Sequence, residues 1–314
     1  MLRVKPVVIA FLLLATSAYS LTESYKKVEL FARTADSTTR TPGTTVDAAP
    51  ANGTSGMRGP GSVKYHGGRL TSGNLNFHVV YASSQPAEPT FMPQIEQFIK
   101  DLPKIGSFWN VFGQYSGQAN ASLTGVASVV SRTWKVYSGT LFEKDIETYI
   151  KANYLSKGVT FGVSDVLVFL LGSDVGFVQM GAAEGQAGMS ASCIGFCGVH
   201  LVGGEMGNAV PYAVIPSFEA WPCNSACYTT PTRGNLTNFQ ATTLVLSHEI
   251  SEIFTDTYEN KFGLGYGFFV DTPGEYEGYE LADVCQHNGY VGNADDRQYV
   301  LTKVWSAQDA KCFP

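Results

Sequence analysis

The feature that most constrains the fold is a helical pattern over residues 244–256, in which apolar and acidic positions are segregated. At about 100° per residue, one apolar stripe comprises Leu246, Ile250 and Ile253. Polar positions occupy or border the opposite side, namely His248, Glu249, Glu252 and Asp256. No Lys or Arg lies between Asn235 and Asn260. Carboxylates gathered without cations repel one another, so the pattern predicts that a metal ion or a shared proton compensates them.

His248, Glu249 and Glu252 form a variant of H-E-x-x-H, in which two His bind zinc and the Glu is the general base. Glu252 replaces the second His, and a carboxylate oxygen binds zinc at about the same distance as an imidazole nitrogen. Glu280 and Asp283, predicted on one helical face at i and i+3, are the candidates for a third ligand. The pattern predicts a divalent metal site, with zinc favoured and Mn²⁺ or Ca²⁺ as alternatives. The competing interpretation is an acidic, solvated helix face.

The N-terminal sequence predicts export. Residues 1–20 place Arg3 and Lys5 before a short apolar run that ends in small residues, the pattern of a secretory signal peptide. That run is shorter than the roughly 20 apolar residues of a transmembrane helix, and no later segment predicts an anchor. Residues 21–62 are rich in Thr, Ser, Gly and Pro, which predicts a flexible segment, and the folded domain is expected over residues 63–314. We therefore expect a secreted, extracellular protein.

Periodicity within the folded part predicts a mixture of strands and helices. Strands are predicted at residues 75–82, 126–137, 165–172, 211–215 and 298–305, and helices at 92–102, 107–115 and 144–155. Residues 181–192 are small and loop-like, whereas the apolar run 165–172 is typical of a buried central strand. The expected fold is α+β or α/β: a single disulfide-stapled domain with a central mixed sheet flanked by helices and a zincin-like active-site helix.

Six cysteines form three pairs by position: Cys193/Cys197, Cys223/Cys227 and Cys285/Cys312. In an exported chain they predict three disulfides, with fifteen possible connectivities. A Cys285–Cys312 bridge would tie the proposed ligand segment to the C-terminus. The alternative is a zinc knot made by the two C-x3-C pairs with His200 nearby. His200 could also reach the metal of the helix motif as an extra ligand, but a core or disulfide-loop histidine is the favoured interpretation. Three N-glycosylation sequons are present, at Asn52, Asn120 and Asn235.

The order of several motifs resembles the EXORDIUM (phosphate-induced protein) family of exported plant proteins. The matching residues run from Tyr65-His66-Gly67-Gly68 through Phe108-Trp109, Tyr137-Ser138-Gly139, Gly172-Ser173-Asp174-Val175, Cys193-x3-Cys197-Gly-Val-His200, Cys223-x3-Cys227, His248-Glu249-x-x-Glu252, Glu280-Leu-Ala-Asp283-x-Cys285 and Arg297 to Trp305 and Cys312. The chain departs from the family at residues 181–192, which resemble an insertion, after Cys227, and at Asp256-Thr257. The resemblance implies an apoplast, cell-wall or cell-surface protein tied to cell expansion and growth, and it implies no particular reaction.

Other functional classes lack support in the sequence. The formal net charge of −6 and the absence of a basic stripe argue against nucleic acid and anionic membranes as partners. No nucleophile-elbow, P-loop or dinucleotide fingerprint occurs in the required context. Our first hypothesis is an exported metal-dependent hydrolase acting on peptide bonds. The second is a non-catalytic wall-associated or signalling protein with a structural ion or carboxylate cluster. A peptide or a cell-wall component is the expected partner, and the oligomeric state is not indicated.

We expect the mature chain to begin at Leu21 and to carry no free thiol, because the signal ends in small residues and the cysteines are paired. The intact mass should be the same before and after alkylation without reductant. Uptake of the alkylating label by denatured, unreduced protein would contradict the three-disulfide prediction.

Overall fold

The computed structural model describes residues 63–85, 91–116, 123–180, 189–220, 222–227, 236–258, 261–271, 277–285 and 289–313. All of them belong to one unit, Met57–Pro314. The predicted signal peptide, the whole of the flexible segment and the three sequon asparagines lie outside the described residues. In the part of the chain that is described, no helix has the length and apolar character needed to cross a membrane.

The strands are β1 (Val63–Tyr65), β2 (Gly73–Ser83), β3 (Leu123–Lys135), β4 (Thr140–Phe142), β5 (Asp165–Leu171), β6 (Gly176–Met180), β7 (Met189–Ala191), β8 (Val199–Glu205), β9 (Asn208–Ile215), β10 (Phe268–Val270), β11 (Gly289–Ala294), β12 (Arg297–Thr302), β13 (Val304–Ser306) and β14 (Lys311–Phe313). The α-helices are α1 (Met92–Asp101), α2 (Gly106–Trp109), α3 (Gly113–Ser116), α4 (Glu143–Asn153), α5 (Cys223–Ala226) and α6 (Asn238–Thr255). Single 3₁₀ turns occupy Leu102–Lys104, Asn110–Phe112, Leu155–Lys157, Lys261–Gly263 and Asp283–Cys285.

The central sheet has five strands in the order β3-β2-β5-β9-β8. The first four are parallel, and β8 pairs antiparallel with β9 at one edge. Strand β5 is apolar along almost its whole length because a central parallel strand is covered on both faces. Its odd and even positions face two separate hydrophobic cores, which contain Val166, Val168 and Leu170 in one and Leu167, Phe169 and Leu171 in the other. The predicted central strand is confirmed.

Helix α6 lies on the first of these cores and packs against β9, β8 and β12. It begins with a capping box: the Thr237 hydroxyl accepts from the Gln240 N–H at 3.2 Å, and the Gln240 side chain accepts from the Thr237 N–H at 2.9 Å. The predicted stripe of Leu246, Ile250 and Ile253 is completely buried. The helix continues to Thr255, so the acidic motif sits on a rigid and well-anchored element.

Three disulfides staple this α+β fold, and all six cysteines take part: Cys193–Cys223, Cys197–Cys227 and Cys285–Cys312. The two C-x3-C segments are therefore bonded to each other, and neither is bonded within itself. The zinc-knot alternative is wrong because its sulfur ligands are oxidised. The segment leading into β8 is thereby fastened to α5, and the end of the 277–285 segment is fastened to β14.

Several predicted boundaries need correction. The helix expected at 107–115 is a succession of short turns that includes α2 and α3. The strand expected at 298–305 is divided into β12 and β13, which belong to different hairpins, since Val304 pairs with Phe313. The loop expected at 181–192 contains β7 at its end, and its residues 181–188 lie outside the described residues.

A buried carboxylate joins α1 to the β11–β12 hairpin. Asp101 is fully buried and accepts hydrogen bonds from Arg297 Nε at 2.6 Å, from the Tyr299 hydroxyl at 2.8 Å and from Gln97 Nε2 at 3.1 Å. Lys104 Nζ lies 3.1 Å from the same carboxylate. Burial alone would raise the pKa of Asp101, but these donors, led by Arg297, outweigh it and hold the pKa at about 2.

Asp101→Asn should lower the free energy of unfolding by about 2 kcal/mol, because it weakens several charge-assisted hydrogen bonds at a buried position. Asp295→Asn is the matched control: Asp295 contacts Lys104 and Arg297 with a side chain that is 62% exposed, so its loss should cost at most about 0.5 kcal/mol. Denaturant unfolding of both variants measures the difference.

The pH dependence follows from the lowered pKa. Asp101 contributes fully above about pH 4, near its unfolded pKa, and loses its contribution as the pH falls through about 2. The stability difference between wild type and Asp101→Asn should therefore shrink over that interval. A difference that stays constant from pH 5 to pH 2 would contradict this account.

Candidate metal centre

A cleft of about 770 Å³ lies beside α6 and is bordered by β8 with its preceding loop and by the 277–285 segment. Its lining includes five carboxylates and two imidazoles, namely Glu249, Glu252, Asp256, Glu280, Asp283, His200 and His248. No Lys or Arg is among the described residues that line it. Five carboxylates without a Lys or Arg among them make this cleft attractive to a cation.

The first group of ligand atoms gathers around His248. Its Nε2 lies 2.9 Å from Glu252 Oε1, one helical turn further along α6, and 3.3 Å from Asp283 Oδ1. The other ring nitrogen, Nδ1, lies 3.5 Å from the hydroxyl oxygen of Thr302 on β12. The side chains of His248 and Asp283 are 18% and 51% exposed, so this group opens toward solvent.

A second group surrounds His200 on β8, deeper in the protein. His200 Nδ1 lies 3.2 Å from Glu252 Oε2 and 3.8 Å from Glu249 Oε2. Its Nε2 lies 3.5 Å from Glu280 Oε1. The Glu252 carboxylate therefore stands between two histidines, with one oxygen directed to each.

His200 is thus part of the site, although the sequence favoured a structural role for it. Its only sequence signal is its position three residues after Cys197. The geometry arises because β8 is the antiparallel edge strand beside α6, which no local pattern predicts.

Glu280 and Asp283 do not share a helical face, contrary to the prediction. Helical geometry is restricted to the turn Asp283–Cys285, and Glu280 precedes a non-helical turn. Consequently the two carboxylates lie next to different histidines: Glu280 contacts His200, and Asp283 contacts His248. Asp283 is the one that completes a group with both helix residues of the motif, His248 and Glu252.

Burial sets the electrostatics of the cluster. Glu249 and Glu252 are 4% and 3% exposed, so the acidic side of α6 is not a solvated face. Burial raises the pKa of Glu249 to about 7 against the opposing hydrogen bond from His200, and the charge of Glu252 adds to the rise. Burial would also raise the pKa of Glu252, but attraction to His248 and the hydrogen bonds from His200 and His248 together outweigh it and lower that pKa to about 2.

The histidine responds in the opposite direction. Burial would lower the pKa of His248, but the Glu252 charge and the contact with Asp283 raise it well above the ordinary value. Without a cation, the cluster is therefore compensated by a proton on His248 and, below about pH 7, by a second proton on Glu249. A metal ion must displace these protons, so its affinity should rise with pH.

Either histidine group could hold a metal ion. In His248, Glu252 and Asp283, and separately in His200, Glu249 and Glu252, one ligand atom from each residue lies within 4.8 Å of the others. Ligand atoms bound to tetrahedral zinc at about 2.0–2.2 Å lie about 3.3–3.6 Å apart. The separations of 2.9 to 3.8 Å around the two histidines scatter about this value.

Gly198 is a further site residue that the sequence did not indicate. A Cβ at Gly198 would lie 2.5 Å from both Glu249 Oε1 and Val245 Cγ1, closer than real contacts allow. The absence of a side chain lets the backbone before β8 approach α6 and confines the Glu249 carboxylate.

Gly198→Ala should displace Glu249 and lower the free energy of unfolding by about 1–3 kcal/mol through overpacking. Gly113→Ala is the control, because Gly113 is helical and exposed and its added Cβ would meet nothing within 4 Å. Thermal unfolding and zinc binding should change in Gly198→Ala and stay near wild type in Gly113→Ala. Equal behaviour of the two variants would contradict the close approach at Gly198.

Comparison of the chain with protein-family models, with curated proteins and with solved structures finds no match. The resemblance to the EXORDIUM family therefore stays a prediction from the quoted motifs.

Proposed function

We propose that the chain is an exported, zincin-like metal-dependent hydrolase that acts on peptide bonds. The observation that carries the proposal is the position of His248, Glu252 and Asp283 at the open side of the cleft, with Glu249 buried beside them. A catalytic zinc site keeps three protein ligands and one position for water or substrate, whereas a structural site is closed by four. The group of His248, Glu252 and Asp283 faces the cleft and so has the form expected of a catalytic site.

The roles of the four residues follow from their chemistry. His248, Glu252 and Asp283 would hold the metal ion, which supplies a water of lowered pKa as the nucleophile. Glu249 would accept the proton of that water and return it to the leaving group. Its pKa of about 7, raised by burial, suits a group that must both take and give a proton near neutral pH. Two carboxylates and a neutral imidazole balance the charge of one Zn²⁺.

The sheet edge and the apolar residues beside the cleft support a peptide as the substrate. Strand β8 has a strand neighbour on one side in the described sheet, namely β9, and its first residues, Val199 and His200, line the cleft. An extended peptide can add to such an edge through backbone hydrogen bonds. Apolar side chains of the lining would receive the side chains of that peptide, and they include Phe196, Leu244, Val245, Tyr266 and Phe269.

Export and a location in the apoplast, the cell wall or at the cell surface are part of the same proposal. The signal pattern and the EXORDIUM-like motifs support it, and the three disulfides are compatible with an oxidising compartment.

A second candidate is a non-catalytic wall-associated or signalling protein whose cluster binds a structural ion. The group of His200, Glu249 and Glu252 favours it, because all three side chains are buried as in a closed site.

Glu249 separates the two candidates. Glu249→Gln keeps the size of the side chain and removes the proton acceptor, so peptide hydrolysis should fall by roughly 10²–10⁴-fold. The metal ion held by His248, Glu252 and Asp283 should be retained. His248→Ala should lose activity together with one equivalent of metal, because it removes the imidazole ligand of the group formed with Glu252 and Asp283. Glu205→Gln is the matched control, since Glu205 is exposed at the end of β8 and does not line the cleft. Cleavage of a mixed peptide library and elemental analysis measure both properties.

Two results would overturn the hydrolase. Wild-type cleavage rates in Glu249→Gln would exclude Glu249 as the base. A metal-loaded wild type that cleaves no peptide would favour the non-catalytic candidate.

A further inference from the structure

The two possible metal groups share one residue and no ligand atom. Glu252 contributes Oε1 to the group of His248 and Asp283, and it contributes Oε2 to the group of His200 and Glu249. A carboxylate has two oxygens and several acceptor positions, so it can bind two cations at the same time. The geometry of the cluster therefore does not force the two groups to compete.

The charge of the cleft favours more than one cation. Five carboxylates line it, and no Lys or Arg does so among the described residues. With neutral histidines, one divalent ion would leave three of these five charges uncompensated, whereas two ions would leave one. Buried charge is costly unless it is paired or coordinates a metal, and Glu249 and Glu252 are both buried.

The deeper group has the donors of a zinc-type site. His200 supplies an imidazole nitrogen, and Glu249 and Glu252 supply oxygens at 3.8 and 3.2 Å from it. Glu280, 3.5 Å from the other ring nitrogen, lies where it can fix the orientation of the ring. Imidazole together with carboxylate suits zinc and other borderline divalent ions better than the harder Mg²⁺.

We propose that the cleft holds a second divalent cation, bound by His200, Glu249 and the Oε2 atom of Glu252, and that its binding inhibits the hydrolase. The inhibition rests on the proposed function, because Glu249 is the base of that reaction. A carboxylate that coordinates a cation cannot also accept the proton of the nucleophilic water. Excess zinc would therefore inhibit the enzyme that the first zinc ion activates.

The two sites should differ in the order of filling. In the outer group (His248, Glu252 and Asp283) two side chains are partly exposed. The side chains of the inner group (His200, Glu249 and Glu252) are all buried where α6 packs against β8. The first equivalent should bind the outer group, since His248 and Glu252 lie one turn apart on a rigid helix. The second should bind more weakly, because the two cations repel each other across the shared carboxylate.

The test is a Zn²⁺ titration of the metal-depleted full-length mature protein, followed by calorimetry and by elemental analysis after dialysis against a fixed free zinc concentration. Wild type should bind two equivalents. His200→Gln keeps a side chain of similar reach but replaces the imidazole with a weak ligand, so it should bind one. His78→Gln is the matched control, because His78 lies on β2 beside Asp165 and does not line the cleft, and it should bind two. Circular dichroism of each variant identifies any loss of fold.

Binding of a single equivalent by wild type, or of two by folded His200→Gln, would overturn the second site whether or not the protein is an enzyme. In the activity arm, wild-type cleavage should rise with the first equivalent and fall about 10²-fold or more with the second. His200→Gln should lack the fall. Cleavage that stays constant after the second equivalent would overturn the inhibition, and absence of any cleavage would count against the hydrolase alone, since stoichiometry still decides the site.

Discussion

The contacts of the buried Glu252 carboxylate with His248 and His200 are the interaction on which the arrangement of the cleft depends. A buried charge of this kind must be compensated, and the fold meets that demand with imidazoles from two directions. One comes from the same helix, one turn away. The other comes from the edge strand β8, which the antiparallel end of the sheet places beside α6. The order of the strands and the packing of α6 thus together determine which side chains meet in the cleft.

The hydrophobic periodicity of the sequence predicted the helix and the central strand of this arrangement. The spacing of Leu246, Ile250 and Ile253 predicted which side of α6 is buried, and the continuous apolar run predicted β5. The general α+β class followed from the same kind of reasoning. These features depend on neighbours within a few residues, so local sequence is enough to predict them. The participation of all six cysteines in disulfides was predicted differently, from their even number and the signal pattern.

The features that were missed depend on distant contacts. His200 enters the site because β8 reverses direction at the sheet edge, and Gly198 matters because of a backbone approach to α6 that only the tertiary structure contains. Glu280 and Asp283 have helical spacing, yet Leu281 is buried and its carbonyl accepts from the Trp305 N–H at 2.9 Å, which ties this segment to a strand instead of a longer helix. Tertiary hydrogen bonding overrode the periodicity there.

Two of the three disulfides lie next to residues of the carboxylate and histidine cluster. Cys197 precedes His200 by three residues, and Cys285 follows Asp283 by two, so two of the three segments that bring ligand atoms to Glu252 are covalently anchored next to those atoms. The third segment is a capped helix. Conformational entropy that a metal ion would otherwise have to remove on binding is removed earlier, during oxidative folding. Reducing these bonds would therefore loosen two of the three segments around Glu252, which would make the thiol chemistry of the surroundings a determinant of metal loading at the proposed site.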